Sequence, residues 1–434
     1  MVAAVFGLWS SVYAQQMGSG ATAIGAGTIP GTPFGGAVDP TMVHVTEGFQ
    51  VIPSISVGER YDSNVYFVPK RQGLDREDFV TTTVPQLRGL YVGDSFAVNA
   101  SASAIGEYYA KNTNLNYVGT NTGIALDASK LLDRWRQGAM LRVTDTYIYT
   151  PQAPAFLMGN LAGDNANPYV SGYQVGRANV SSNILKADLS VPLNQTVNLV
   201  GSYSNGFIKY TSSEVQQAGA LLSSDFQTYT AGLSMKASPQ DTLSLNSVNS
   251  EYNFTSQPGG SFTTHGGTVG WDRTFTPNVS MRSSAGAQLL QGTFNGVPMS
   301  SVIAPVGSLA FLWKDRTTSM TLAYGAAVTP TFQFQSQALL TQTVSLTLTQ
   351  QTAIPELLAV ANLNYGRGDQ YGSTSTASIS YVSYNGTGGL VYRFSPKTFL
   401  GLNYSYSNFD NKFGANTFAF DRQVVQLSLT QAFY

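Results

Sequence analysis

The sequence predicts an all-β chain, a transmembrane antiparallel up-and-down β-barrel of about 18 strands (roughly 16–20) with short periplasmic turns and longer extracellular loops. Three observations predict it. From about residue 49 onward, segments of roughly 10–15 residues alternate apolar with small polar side chains, as in Thr343-Val344-Ser345-Leu346-Thr347-Leu348-Thr349. The polar face of these segments is Ser, Thr, Asn, Gln and Gly, not the charged surface of a soluble sheet; charged residues are only 11% of the chain and aromatics 12%. Mean hydropathy is near zero at −0.04, and no run reaches the roughly 18 apolar residues of a spanning helix.

In chain order, Met1–Ala14 has the apolar core and Val12-x-Ala14 ending of a secretory signal peptide. The positively charged leading segment is missing, which a start assigned too late would explain; a buried helix is the alternative. Residues 15–48 are rich in Gly, Ala, Thr and Pro and carry too little apolar side chain for a core, so they read as a flexible periplasmic tether. The remainder, 49–434, is expected to be one outer-membrane barrel.

Tight turns are expected at Tyr91–Ser95, Leu131–Gln137, Pro192–Gln195, Ser238–Asp241, Thr276–Asn278, Lys314–Thr317, Ala353–Glu356 and Ser395–Lys397, several with Pro beside a polar residue. Longer polar connections are expected at Asp62–Asp78, Lys111–Asn114, Thr150–Tyr169, Thr211–Ser223, Ser256–Ser261, Phe294–Ser300, Gly366–Ser373 and Asp410–Asn416. Gly386–Gly389 reads as a ninth loop or as a bulge inside a long strand. The uniform spacing argues against a soluble sandwich or propeller, as do the scarce charge and the lack of a per-blade motif.

The last strand, Leu427–Tyr434, alternates through Phe433 and resembles the terminal strand by which barrel-assembly machinery recognises outer-membrane proteins. Tyr61, Tyr66, Tyr108, Tyr109, Tyr147, Tyr149, Tyr404, Tyr406, Phe418 and Phe420 lie near strand ends, where aromatic girdles are expected at the membrane interfaces.

The sequence offers little chemistry. There is no cysteine and only two histidines, His44 and His265, so thiolate chemistry is excluded and a metal site has few ligands. No phosphate loop, nucleophile elbow or dinucleotide fingerprint is present, and no cofactor is expected. Ser261 or Ser300 beside His265 is the nearest approach to a catalytic pair, with an exposed loop histidine the simpler reading. A net charge of −1 gives no case for nucleic acid. The chain is therefore expected not to be an enzyme.

Charges facing the lumen are the remaining candidates. Alternation sets Phe96, Val98, Ala100, Ala102 and Ala104 toward lipid and Glu107 inward with Asn99, Ser101 and Ser103. The same reading places Lys186 and Asp188 inward opposite Leu185 and Leu189, Arg282 inward opposite Met281, Ala285 and Leu289, and Arg393 opposite Tyr392 and Phe394. A lipid-facing Arg or Lys at mid-depth would cost about 2–4 kcal/mol. Two roles stay open for these five residues, pairing with one another or lining a pore. A wall of Ser, Thr, Asn, Gln and Gly with few charges of both signs suits a polar, weakly charged solute such as a carbohydrate.

The segment Ile52–Trp135 resembles the start of the barrel in outer-membrane proteins associated with PEP-CTERM and exosortase loci and in related β-barrel porins. The matching residues are Pro53-Ser-Ile-Ser-Val-Gly-Glu-Arg-Tyr61-Asp62-Ser63-Asn64-Val65-Tyr66, Asp78-Phe79-Val80-Thr81, Val84-Pro85, Glu107-Tyr108-Tyr109 and Leu131-Leu132-Asp133-Arg134-Trp135. The Tyr-Asp-x-Asn-Val element is the most specific of these. The resemblance implies a bacterial outer-membrane conduit that works with periplasmic polysaccharide-export proteins on a secreted polysaccharide. By residues alone, Asp62 and Asn64 supply turn chemistry and Asp75-Arg76-Glu77-Asp78 is a solvated loop tip. A general diffusion porin and a structural or adhesive barrel with a closed lumen are the rival expectations.

Overall fold

A computed structural model gives the structure of the chain. It describes residues 48–69, 75–150, 178–213, 223–254, 260–294, 297–298, 301–330, 338–371, 379–413 and 416–433. The expected signal peptide, the tether and most of the Thr150–Tyr169 loop lie outside these residues.

One antiparallel sheet contains every strand and closes on itself, because β1 (Gly48–Asp62) pairs with both β2 (Asp78–Val92) and β19 (Asn416–Ala432). Of its nineteen strands, β12 is a two-residue pair, Val297–Pro298, attached to the end of β11 (Val279–Phe294). Eighteen strands therefore form the wall. They are β3 (Ala97–Tyr109), β4 (Tyr117–Asp127), β5 (Met140–Thr150), β6 (Ala178–Pro192), β7 (Val197–Ser213), β8 (Ser224–Lys236), β9 (Asp241–Phe254) and β10 (Gly260–Thr276), with β1, β2, β11 and β19. β13 (Val302–Lys314), β14 (Thr318–Pro330), β15 (Ala338–Gln351), β16 (Leu357–Tyr371), β17 (Ile379–Ser395) and β18 (Thr398–Phe413) complete them. A 15-residue strand such as β1 rises about 38 Å at about 3.3 Å per residue and a tilt near 40°, more than the roughly 25 Å apolar band of such barrels.

Side-chain alternation divides the wall as expected. On β1, Phe49, Val51, Ile55 and Val57 are exposed while Ser56, Gly58, Arg60 and Asp62 are buried on the other face. Leu245, Val269, Leu322, Leu363 and Leu427 likewise stand exposed on the outside. Rings frame this belt. Tyr365 packs on Tyr384 toward the long loops, with centroids 5.2 Å apart, and Tyr203 packs on Tyr229 near mid-strand at 5.1 Å. Tyr91–Phe96 and Tyr392–Phe394 do the same at the short turns. Tyr109 and Phe420 do not join the girdles: both face inward and are buried, because each falls one residue out of step with its outward neighbours. The side chain of Phe418 lies outside the described residues.

All eight expected turns connect strands, and that at 131–137 is wider than expected because it holds a one-turn helix, Ser129–Asp133. Gly386–Gly389 is neither loop nor bulge. It lies within β17, each residue paired to β16 and β18, because glycine adds no side chain that would break the ladder. The loop after β16 starts later than Gly366, since that strand continues to Tyr371. A connection was missed at 331–337, where the alternating Thr331-Phe-Gln-Phe sequence reads as strand. The two errors offset one another in the strand count.

Among the described residues, the ladder between β13 and β14 is cut short. β13 and β14 pair only from Gly307↔Ala326 to Lys314↔Ser319, while Val302–Val306 continues on β11 and Ala327–Pro330 continues on β15. Continuing that register would set Pro305 opposite Val328 and Pro330 opposite Ile303, and proline has no N–H for either site. Where the strands part, outer-face residues Val328, Ala338, Leu340 and Tyr371 join one apolar cluster with Leu290 and Ala304 of the inner face. The Tyr371 hydroxyl donates to the Ile303 carbonyl at 2.8 Å and replaces one ladder bond.

Candidate functional site

The lumen face can be traced strand by strand from the register. Most of it is as small and polar as the sequence implied: Ser101 and Ser103 on β3, Ser202 and Ser204 on β7, Thr343 and Ser345 on β15, Asn362 and Asn364 on β16, Asn403 and Ser405 on β18. One arc differs. Toward the long loops, Val180, Ile208, Phe226, Tyr252, Phe262 and Leu290 face inward on consecutive strands β6–β11 and are buried together. Phe226 and Tyr252 stack at 6.3 Å and Tyr252 meets Phe262 at 6.0 Å.

The five predicted lumen charges all take the inward parity, but they are not one site. Glu107 is fully buried and receives Arg60 Nη1 and Nη2 at 2.7 and 2.9 Å and the Tyr109 hydroxyl at 2.7 Å. Lys186 and Asp188 pair with each other at 3.0 Å. Asp188 also stands opposite Arg142, which stands opposite Asp127 on β4. Arg282 is the direct cross-strand partner of Asp272. Arg393 sits at the irregular end of β17 near the short-turn rim, opposite Phe399.

Glu107 belongs to a larger assembly that the sequence did not reveal. Arg60 reaches over β2 to it, and at 3.8 Å also approaches Asp62 on its own strand. Arg422 Nε and Nη2 donate to the two Asp62 oxygens at 3.0 and 2.5 Å. The last strand, the first and the third are thereby tied across the closing edge. Arg60 was legible by parity on β1; Arg422 was not, because Val424 and Val425 make both faces of β19 apolar.

The Tyr61–Tyr66 element explains itself here. Asn64 N–H donates to Asp62 Oδ1 at 3.0 Å, the turn expected of those residues. Its amide then donates to the carbonyls of Val68 at 2.9 Å and Asp421 at 3.0 Å. The chain after β1 consequently turns into the barrel, not out into water, and Val65, Phe67 and Val68 are buried. Phe67 has φ 56°, a costly backbone state for a bulky residue, and its ring is held beneath the Arg422 guanidinium at 4.7 Å. Val65 joins Val80, Tyr109 and Leu115 in a small internal core.

The 75–78 run is solvated only in part. Asp75 and Glu77 are half exposed and both face Lys111, and the Asp75 hydrogen bond raises the Lys111 ammonium above the ordinary lysine pKa. Asp78 is buried instead: it accepts from the backbone N–H of Lys111 at 2.9 Å and of Asn112 at 2.7 Å, fixing the β3–β4 loop.

His265 lies on the outer face of β10, its Nδ1 2.9 Å from Asn249 Oδ1, one strand position set apart from the lumen wall. Outward charges such as Asp225, Glu251, Asp369 and Asp421 stand near the long-loop ends of their strands. Asp145 on β5 instead lies at mid-strand: between Val143 and Tyr147 on the outer face, it accepts a 2.7 Å bond from Asn183.

Several solved structures align over most of this chain at low similarity. OpdO of Pseudomonas aeruginosa aligns over 88% of this chain and 98% of its own, with 13% identity and a TM-score of 0.45. OccK2 (OpdF) of the same organism aligns over 89% and 99% at 11% identity and 0.46, and OccAB4 of Acinetobacter baumannii over 88% and 98% at 10% and 0.45. At this similarity neither a family nor a solute passes from them to this chain. No family model and no curated protein matches the sequence.

Proposed function

We propose that the chain is a passive outer-membrane channel for polar solutes of little net charge. The observation that carries this reading is the inner wall, where hydroxyls and amides dominate and several inward charges stand next to opposite charges. Lys186 with Asp188, Arg282 with Asp272, and Arg60 and Arg422 with Glu107 and Asp62 leave a small residual field. Such a wall offers neutral hydrogen bonds to a passing solute and discriminates weakly between ions.

Purified protein in planar bilayers should give steady conductance, with potassium and chloride permeabilities nearly equal across a salt gradient. A silent barrel would sink the channel and favour a closed structural scaffold. A strongly ion-selective current would sink the neutral wall. General diffusion fits this wall as well as a dedicated solute does. A role in exopolysaccharide export, with periplasmic export partners, rests on the Ile52–Trp135 resemblance alone; deletion of the gene with unchanged polymer yield would remove it.

A further inference from the structure

We propose that the outer face of β3–β6 is an interface at which the barrel pairs with a second copy of this chain. Its anchor is Asp145, an ionisable side chain on the lipid-facing side of the wall at mid-strand. The register neighbours of Asp145 on that face are Ile124 on β4 and Leu185 on β6, both exposed and apolar. Asn183 Nδ2 donates to Asp145 Oδ1 at 2.7 Å, whereas Oδ2 has no hydrogen-bond partner among the described residues. Hydrocarbon has no donor to offer that oxygen, and an ionisable group at membrane depth marks a place where the wall meets something besides lipid.

The surroundings allow a close approach. Ala100 and Ala102 on β3 stand across from Ile124 and Thr122 on β4, and Thr122 across from Tyr147 on β5. At a similar height β18 and β19 carry Leu402, Tyr404, Val425 and Leu427, the bulky apolar set suited to lipid. Small outward side chains let two backbones come together, as they do between membrane helices.

This face is also self-complementary. The Thr122 hydroxyl, exposed and without a hydrogen-bond partner among the described residues, supplies the donor that Asp145 lacks. Thr122 and Asp145 each lie five residues from the short-turn ends of their strands, Asp127 and Met140, and so at about one depth. Two copies inserted in the same direction are related by a twofold axis along the membrane normal, which keeps depth and exchanges left for right. With that axis between β4 and β5, Asp145 of each copy faces Thr122 of the partner subunit, and every contact is made twice.

The chain contains no cysteine, so single cysteines report contacts between copies. Ile124→Cys, beside Asp145, and Leu402→Cys, outside the proposed interface, are reconstituted in phosphatidylcholine vesicles at high lipid excess and oxidised. A disulfide-linked dimer is expected from Ile124→Cys and not from Leu402→Cys. Adding Asp145→Leu to Ile124→Cys should lower the dimer yield about tenfold, because the symmetry removes two hydrogen bonds at once. Leucine suits a lipid-facing position, and heat-modifiable migration on a gel verifies that the variant is folded. No dimer from Ile124→Cys, equal yields from Ile124→Cys and Leu402→Cys, or an unchanged yield in folded Asp145→Leu overturns the proposal. None of these outcomes depends on whether the barrel conducts.

Discussion

Glu107→Ala should lower the unfolding free energy of the barrel by about 3–5 kcal/mol, the cost of stranding a buried charge. Arg60 has 2% exposure, so the guanidinium left behind has no water to take over the two bonds it gives Glu107. The Tyr109 hydroxyl loses its acceptor as well. Replacing both partners, Arg60→Met with Glu107→Leu, should recover most of the loss, since a buried pair exchanged for well-packed apolar groups is often neutral or better. Urea unfolding of the refolded protein measures both. A single variant that unfolds like the natural chain would show that water reaches Arg60, and that the assembly is not the dry fastener described above.

Neighbouring residues should behave oppositely when made arginine. Leu322→Arg puts a charge on the exposed outer face of β14, within the belt, and should cost about 2–4 kcal/mol in a lipid or detergent environment. Thr321→Arg, one residue earlier and at the same depth, faces the lumen opposite Leu312 and should change stability by about 0.5–1 kcal/mol at most. Equal costs at the two positions would mean that the inside and outside of the wall have been misassigned.

Much of this architecture was legible because alternation is a local property. Tyr91–Ser95 or Ser395–Lys397 announce themselves by residue type, and Leu185 and Leu189 fix the direction of Lys186 without any knowledge of neighbours. The inward placement of Glu107, Lys186, Asp188, Arg282 and Arg393 followed from the same rule. What it could not supply was company. Arg60 meets Glu107 at a separation of 47 residues, and Arg422 meets Asp62 at 360, distances set by how the sheet closes. The 331–337 connection hid in an alternating stretch, and Gly386–Gly389 looked like a loop because glycine is common in loops. The apolar arc of Phe226, Tyr252 and Phe262 was hidden for a related reason: aromatic residues are frequent on either face of a strand.

The interrupted ladder between β13 and β14 has a mechanical consequence. Among the described residues, backbone bonds run unbroken around the short-turn half, which is a closed hoop of fixed girth. Toward the loops the same wall is an open cuff, its two margins fastened by the Tyr371 clasp and by contacts among Val328, Ala338, Leu290 and Ala304. The diameter of the outer mouth is therefore governed by side chains, whereas that of the inner mouth is governed by the main chain.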